Sequence, residues 1–102
     1  MVNHVTDKVE FDKLIKGDKV LVDFFATWCG PCSMLAPLVE KLAQDNPDLT
    51  VIKVDVDNAE EIAAAYDISS IPTLIYFSKG APVKKSVGYI PEASLKRFVG
   101  AK

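Results

Sequence analysis

The chain has 102 residues, of which 49% are hydrophobic, and a formal net charge of -2. This length is typical of one domain, residues 1–102, whose core is large enough to fold without disulfide staples. The 12 basic and 14 acidic residues are spread without blocks or a basic stripe, which argues against nucleic acid as a partner. No apolar run approaches the ~18 residues of a membrane span, and the first residues lack a signal-peptide pattern. We therefore expect a cytoplasmic protein with no membrane contact.

The first half of the chain alternates segments of strand and helix pattern. Asp7 and Glu10 have the spacing of a helix capping box. The continuous apolar run at residues 20–26 is typical of a strand covered on both faces. The predicted elements are a strand from Val2 to His4 or Val5, a helix that starts after Asp7 and ends at Gly17, a strand over Val20–Ala26, and a helix over about Pro31–Asn46 with Pro37 inside it.

The second half begins with another β-branched run and ends with a hairpin and a helix. Asn58 and Glu61 repeat the capping spacing. The predicted elements are a strand over Val51–Val56, a helix after Asn58, strands over Thr73–Phe77 and Val83–Val87 around a turn at Lys79–Pro82, and a helix opened by Pro91. Strands separated by helices favour parallel pairing, whereas the hairpin must be antiparallel. The pattern therefore predicts an α/β fold with a mixed sheet and helices on both faces.

The segment Trp28-Cys29-Gly30-Pro31-Cys32 contains both cysteines and the only tryptophan. It lies where the predicted strand passes into a helix, and the positive end of a helix dipole favours a thiolate. Pro31 suits the first helical position because it has no N–H to satisfy. A spacing of three brings both sulfurs to one side of the helix, within reach of a disulfide. The pattern indicates redox exchange, with Cys29 attacking and Cys32 resolving.

Two other interpretations of the cysteines compete with redox exchange. A structural disulfide across two intervening residues would restrain almost no loop and contribute little entropy. A closed zinc site needs four ligands, whereas the sequence offers two thiols and one remote imidazole, His4. Both observations favour the redox interpretation.

Asp23 and Lys53 are charged residues inside otherwise apolar strand patterns. Asp23 is either a surface residue of a half-exposed strand or a buried carboxylate with a raised pKa that acts as general base for Cys32. Lys53 either extends from a sheet edge to solvent or pairs with Asp23 across adjacent strands. Pro72, in Ile71-Pro72-Thr73, is at minimum a proline tolerated at a strand start.

With these residues placed, the chain resembles the thioredoxin family over essentially its whole length. The resemblance rests on the Trp28–Cys32 motif after Val22-Asp23-Phe24, together with Pro37, Lys53, Ile71-Pro72-Thr73, Gly80 and Gly88. It implies a five-stranded sheet in the order 1-3-2-4-5 flanked by four helices, and a cis peptide bond before Pro72. It further implies an apolar substrate-binding patch of Trp28, Gly30, Pro31, Ile71, Pro72 and Gly88. Phe25 departs from the resemblance, because many members have a second tryptophan there.

The resemblance implies a general protein-disulfide reductase, an electron carrier to target proteins from a flavin-dependent, NADPH-using thioredoxin reductase. Implied substrates are disulfide-containing proteins such as ribonucleotide reductase, peroxiredoxins and methionine sulfoxide reductases, and the protein is expected to be a monomer. The sequence has neither a G-x-G-x-x-G motif nor a P-loop, so we expect no bound cofactor. Because too few ligands are present for a closed zinc site, we also expect no metal. Three alternatives stay open: an oxidant or isomerase domain of the same fold, a non-catalytic binding subunit, and a metal-binding protein.

Overall fold

The computed structural model describes residues 2–101 as alternating strands and helices. In chain order the elements are β1 (Val2–His4), α1 (Lys8–Leu14), β2 (Val20–Phe25), α2 (Gly30–Asp45), β3 (Thr50–Asp55), α3 (Glu60–Ala65), β4 (Thr73–Ser78), β5 (Ala81–Val87) and α4 (Glu92–Val99). None of the described helices is long and apolar enough to cross a membrane.

The five strands form one mixed sheet in the order β1-β3-β2-β4-β5. β1, β3 and β2 are parallel to one another, whereas β4 is antiparallel to both β2 and β5. This topology confirms the predicted fold. β2 occupies the middle of the sheet, which explains why residues 20–24 are all buried and why this stretch has no polar alternation.

Helices cover both faces of the sheet. On one face α1 and α3 bury an apolar layer that includes the aromatic group Phe11, Phe24, Tyr66 and Phe77. On the other face α2 and α4 pack their apolar sides against the sheet. Burial of apolar surface on both sides holds the central strands in place, and the carboxyl ends of β2 and β3 lie beside each other at one edge.

The predicted cap of α1 is confirmed, but the predicted end of this helix is wrong. The Asp7 carboxylate accepts a hydrogen bond from the Glu10 amide at 3.1 Å. The helix ends at Leu14, three residues before Gly17. The amides of Lys79 and Gly80 donate to carbonyl groups at residues 17 and 15, so the β4–β5 turn supplies partners for the backbone beyond the helix.

The predicted cap of α3 is wrong. The N-cap residue is Ala59, whose side chain makes no capping bond. The Asn58 side chain instead donates to the Asp55 carboxylate at 3.2 Å. A strand-end carboxylate thus binds the amide that the spacing had assigned to the helix.

The second hairpin strand begins earlier than predicted. β5 starts at Ala81 and includes Pro82, both of which the sequence analysis placed in the turn. Tyr76 pairs with Lys84 and Phe77 with Pro82, so Val83 is an extra residue in β5 at this shift of register. Because β5 is an edge strand, its proline is tolerated without loss of a ladder hydrogen bond.

Candidate active site

The two cysteines lie at the junction of β2 and α2. Cys29 is the N-cap residue of α2, with an extended backbone at φ -90° and ψ 114°. Its sulfur accepts a hydrogen bond from the Cys32 amide at 3.2 Å. The Cys29 sulfur therefore occupies the position at which the free amides and the dipole of the helix favour negative charge.

Cys29 and Cys32 are joined in a disulfide, with their Cα atoms 5.2 Å apart. The structure therefore represents the oxidised state. The cysteines are 5% and 4% exposed, and with Ala26 they form a small apolar cluster against which Phe25 and Ile71 pack. The neighbouring Trp28, Gly30 and Pro31 are exposed, so the disulfide lies just below an accessible surface.

The segment before β4 borders the cysteines. The Ile71–Pro72 peptide bond is cis, as the resemblance implied. The Ile71 carbonyl oxygen lies 3.9 Å from the Cys29 sulfur. The Gly88 amide donates to the Pro72 carbonyl at 2.8 Å, with a Gly88 φ of +94° that favours glycine. The structure thus brings Ile71 to Cys29 and Gly88 to Pro72, although the residues of each pair are distant in sequence.

Trp28 is 71% exposed, yet its indole is held in place. The indole Nε1 donates to the Asp57 carboxylate at 2.8 Å. Sequence reasoning missed Asp57. Its signal was available, because polar residues that follow the carboxyl end of one parallel strand lie near those that follow the next.

Asp23 and Lys53 face each other from β2 and β3. They are 1% and 8% exposed, and an Asp23 carboxylate oxygen lies 4.0 Å from the Lys53 ammonium. The other Asp23 oxygen is buried without a hydrogen-bond partner. Burial raises the pKa of Asp23 to about 6, and the Lys53 charge opposes this rise. The surface interpretation of Asp23 and the sheet-edge interpretation of Lys53 are wrong, because β2 and β3 are both internal strands.

Phe25 connects this charged pair with the cysteines. The Lys53 ammonium lies 4.6 Å from the centre of the Phe25 ring. The same ring meets the His4 ring in an edge-on contact, with 6.5 Å between their centres. Sequence reasoning noted Phe25 only as a departure from the family and missed this contact.

The comparisons with known proteins agree with this geometry. A family model described as Thioredoxin matches residues 2–101. The chain belongs to the thioredoxin family. It is 48% identical over 99 residues to a thioredoxin of Mycoplasmoides gallisepticum, which covers 96% of this chain and 99% of the relative. It is 50% identical over 92 residues to a thioredoxin of Staphylococcus epidermidis, which covers 89% of this chain and 88% of the relative.

Solved structures of thioredoxins have the same fold. The X-ray structure of Fasciola hepatica thioredoxin superposes with a TM-score of 0.90 at 38% identity and covers 96% of each chain. Oxidised mitochondrial thioredoxin 3 of Saccharomyces cerevisiae gives a TM-score of 0.89 at 36% identity, covering 97% of this chain and 93% of the yeast chain.

Membership of the thioredoxin family and the redox-capable pair together establish the activity. The chain is a protein-disulfide oxidoreductase that works by thiol–disulfide exchange at its Cys-x-x-Cys site. The thioredoxin family implies a thioredoxin reductase as electron donor and disulfide-containing proteins as substrates in general. Within residues 2–101 no group of three or more His, Cys, Asp or Glu side chains could hold a metal ion.

Proposed function

We propose that Cys29 is the attacking thiolate and Cys32 the resolving thiol of this reductase. The observation that carries this assignment is the place of the Cys29 sulfur at the cap of α2, bonded to the Cys32 amide at 3.2 Å. An amide hydrogen bond and a helix N-terminus both stabilise a thiolate more than a thiol. Cys32 lies inside the first turn and lacks this cap position.

The exchange transfers two electrons from the dithiol to the substrate. The Cys29 thiolate attacks a substrate disulfide, forms a mixed disulfide and releases one substrate thiolate, which takes up a proton. Cys32 then loses its proton, and its sulfur attacks Cys29. The mixed disulfide breaks, the second substrate thiolate leaves and is protonated, and the Cys29–Cys32 disulfide forms.

We assign Asp23 as the general base that accepts the Cys32 proton, through a water molecule. A pKa of about 6 suits this role, because the carboxylate is ionised at neutral pH yet basic enough to hold a proton. Its unpartnered buried oxygen offers an acceptor. Lys53 assists by placing positive charge 4.0 Å from the carboxylate.

The proposed substrate-binding surface surrounds Cys29. Some of its members are exposed and lie next to Cys29 in the chain; the others belong to the segment whose Ile71 carbonyl is 3.9 Å from the Cys29 sulfur, or are hydrogen-bonded to that segment. Such a surface suits extended segments bound by backbone contacts. Its members are Trp28, Gly30, Pro31, Ile71, Pro72 and Gly88. The hydrogen bond to Asp57 fixes the orientation of the Trp28 indole at one side of this surface.

We further propose a monomer of one domain, residues 1–102, that acts in the cytoplasm without nucleic acid or membrane contact. Its electron donor is an NADPH-dependent thioredoxin reductase. Its substrates include peroxiredoxins, ribonucleotide reductase and methionine sulfoxide reductases. One structural relative, with a TM-score of 0.90, comes from work on the thiol resolving mechanism in yeast mitochondrial 1-Cys peroxiredoxin via glutathione/thioredoxin systems, which supports the first of these.

The test is dithiothreitol-driven reduction of insulin by the wild type, Cys29→Ser and Cys32→Ser. We expect Cys29→Ser to lose the catalysed rate, whereas Cys32→Ser should accumulate a mixed disulfide between Cys29 and the substrate. Met34→Leu, an exposed change in the same helix, is the control and should retain the wild-type rate. Equal rates for wild type and Cys29→Ser would refute the nucleophile assignment, and a trapped Cys29→Ser protein would reverse the two roles.

A further inference from the structure

The Lys53 side chain is 9% exposed, and within residues 2–101 its ammonium makes no hydrogen bond to another side chain or to the backbone. Its carboxylate partner is 4.0 Å away, which is beyond hydrogen-bond distance. The ammonium also lies over the face of the Phe25 ring, whose centre is 4.6 Å away. This distance is within the range of a cation–π interaction, in which the ring quadrupole attracts the cation.

Phe25 makes a second contact, which is with the redox centre. It packs against the cluster of Ala26, Cys29 and Cys32. It ends β2 directly before the active-site loop, two residues after Asp23 on the same face of the sheet. The ring therefore contacts the redox centre and the lysine at the same time.

We propose that Phe25 is a positioning residue, whose ring face holds the Lys53 ammonium opposite Asp23 and so keeps positive charge beside the carboxylate that accepts the Cys32 proton. This inference rests on the proposed role of Asp23 as general base. Phe25 itself touches no proton. A side chain of similar volume without a π face fills the same space but does not attract the ammonium.

Few other titratable groups face this pair. From β1, His4 stands opposite Lys53 in the register and meets the Phe25 ring edge-on. Farther along β3, Asp55 is engaged by the Asp57 amide and the Asn58 side chain.

The remaining neighbours carry no permanent charge. On the β4 side the residue opposite Asp23 is the neutral Leu74. At the start of α2, Cys29 and Cys32 do not titrate in the oxidised protein. In the oxidised protein the ionisable neighbours of the pair named above are therefore His4 and Asp55.

The experiment is an NMR titration of the Asp23 side-chain carboxyl carbon in oxidised protein, for the wild type, Phe25→Leu and Phe25→Trp. Because Lys53 lowers the pKa of Asp23, loosening the lysine should raise the Asp23 midpoint. We expect Phe25→Leu to raise it by about half to one pH unit. Phe25→Trp, which keeps a π face, should restore a midpoint close to the wild type. Phe25→Met serves as a second variant without a π face if the leucine variant does not fold.

Two further variants decide whether the effect passes through the lysine. In a Lys53→Met background, Phe25→Leu should no longer move the Asp23 midpoint. In His4→Gln the NMR midpoint of the Asp23 carboxyl carbon should stay at the wild-type value. This result would show that the midpoint reports Asp23 and not His4. The proposal is overturned if Phe25→Leu leaves the midpoint unchanged, if the shift persists without Lys53, or if the midpoint disappears with His4.

The rate of mixed-disulfide resolution separates this proposal from the one it rests on. If Asp23 is the base, the pH midpoint of that rate should move upward in Phe25→Leu together with the NMR midpoint. An NMR shift without a rate shift would overturn the base assignment, and with it any effect of Phe25 on the resolution step. An unmoved NMR midpoint, with an Asp23→Asn variant that still alters the rate profile, would overturn the Phe25 role alone.

Discussion

Replacing Asp23 by asparagine should stabilise the oxidised protein, and the gain should grow with pH. Burial moves the pKa of Asp23 from 3.8 to about 6 in the folded protein. Well below pH 3.8 the carboxyl is protonated in both states and contributes nothing. Between these two values the unfolded chain ionises while the folded protein keeps its proton, so stability falls as the pH rises. Above pH ~6 the full penalty is present.

The magnitude follows from the pKa difference. Each pKa unit corresponds to about 1.4 kcal/mol, so a shift from 3.8 to about 6 amounts to about 3 kcal/mol. Asparagine resembles the protonated acid in shape and charge. The difference in unfolding free energy between Asp23→Asn and the wild type should therefore increase by about 3 kcal/mol between pH 3.5 and pH 7.5.

Guanidinium chloride unfolding of both oxidised proteins, at closely spaced pH values, measures this difference. Using the oxidised form removes thiol titration from the comparison. Asp45→Asn, on the exposed end of α2, is the matched control and should follow the wild type in parallel. A difference between Asp23→Asn and the wild type that stays constant with pH, or shrinks as the pH rises, would show that burial of this carboxylate does not control the stability.

Three further changes test the fold and the site. Phe11→Ala, at a fully buried position, should lower the unfolding free energy by about 3–5 kcal/mol in denaturant titrations, and a loss below about 1 kcal/mol would contradict the core assignment. Gly88→Ala meets no steric obstacle, but the φ of +94° should cost about 1–2 kcal/mol in the same assay, and a neutral result would argue against backbone strain. Asp48 accepts a hydrogen bond from Lys19 at 2.9 Å, which holds the pKa of that carboxyl below its usual value. Asp48→Asn should therefore lower the melting temperature slightly at neutral pH, and this loss should vanish at low pH and at high salt; an undiminished loss at pH 2 would contradict the ion-pair explanation.

Much of the fold could be predicted because its signals are local. The apolar run of β2 and the helical spacing of α2 each reflect burial that the neighbouring residues share. The Asp7 cap was predicted for the same reason, since donor and acceptor are three residues apart. The Asn58 prediction failed because Asp55, also three residues away, competes for the same side chain. Spacing alone does not show which of two residues at the same sequence separation the Asn58 side chain will bind.

In the candidate site, too, local features could be predicted and long-range contacts could not. The two cysteines and their place at a strand–helix junction follow from one short segment. The cis peptide bond before Pro72 came from the resemblance to a family and not from spacing. The contacts of Trp28 with Asp57 and of Lys53 with Phe25 span about 30 residues of chain, because they depend on β3 lying beside β2.

The sequence by itself determined which segments are strands and helices and which two sulfurs exchange electrons, because neighbours along the chain encode periodicity and the helix cap. Only the tertiary structure decided that Asp23 and Lys53 are buried together in one register row, with an aromatic ring against the lysine. The physical reason is that burial and strand register arise from packing the whole sheet between its helices. Burial raises the pKa of the Asp23 carboxylate, and the register places Lys53 where its charge lowers that pKa.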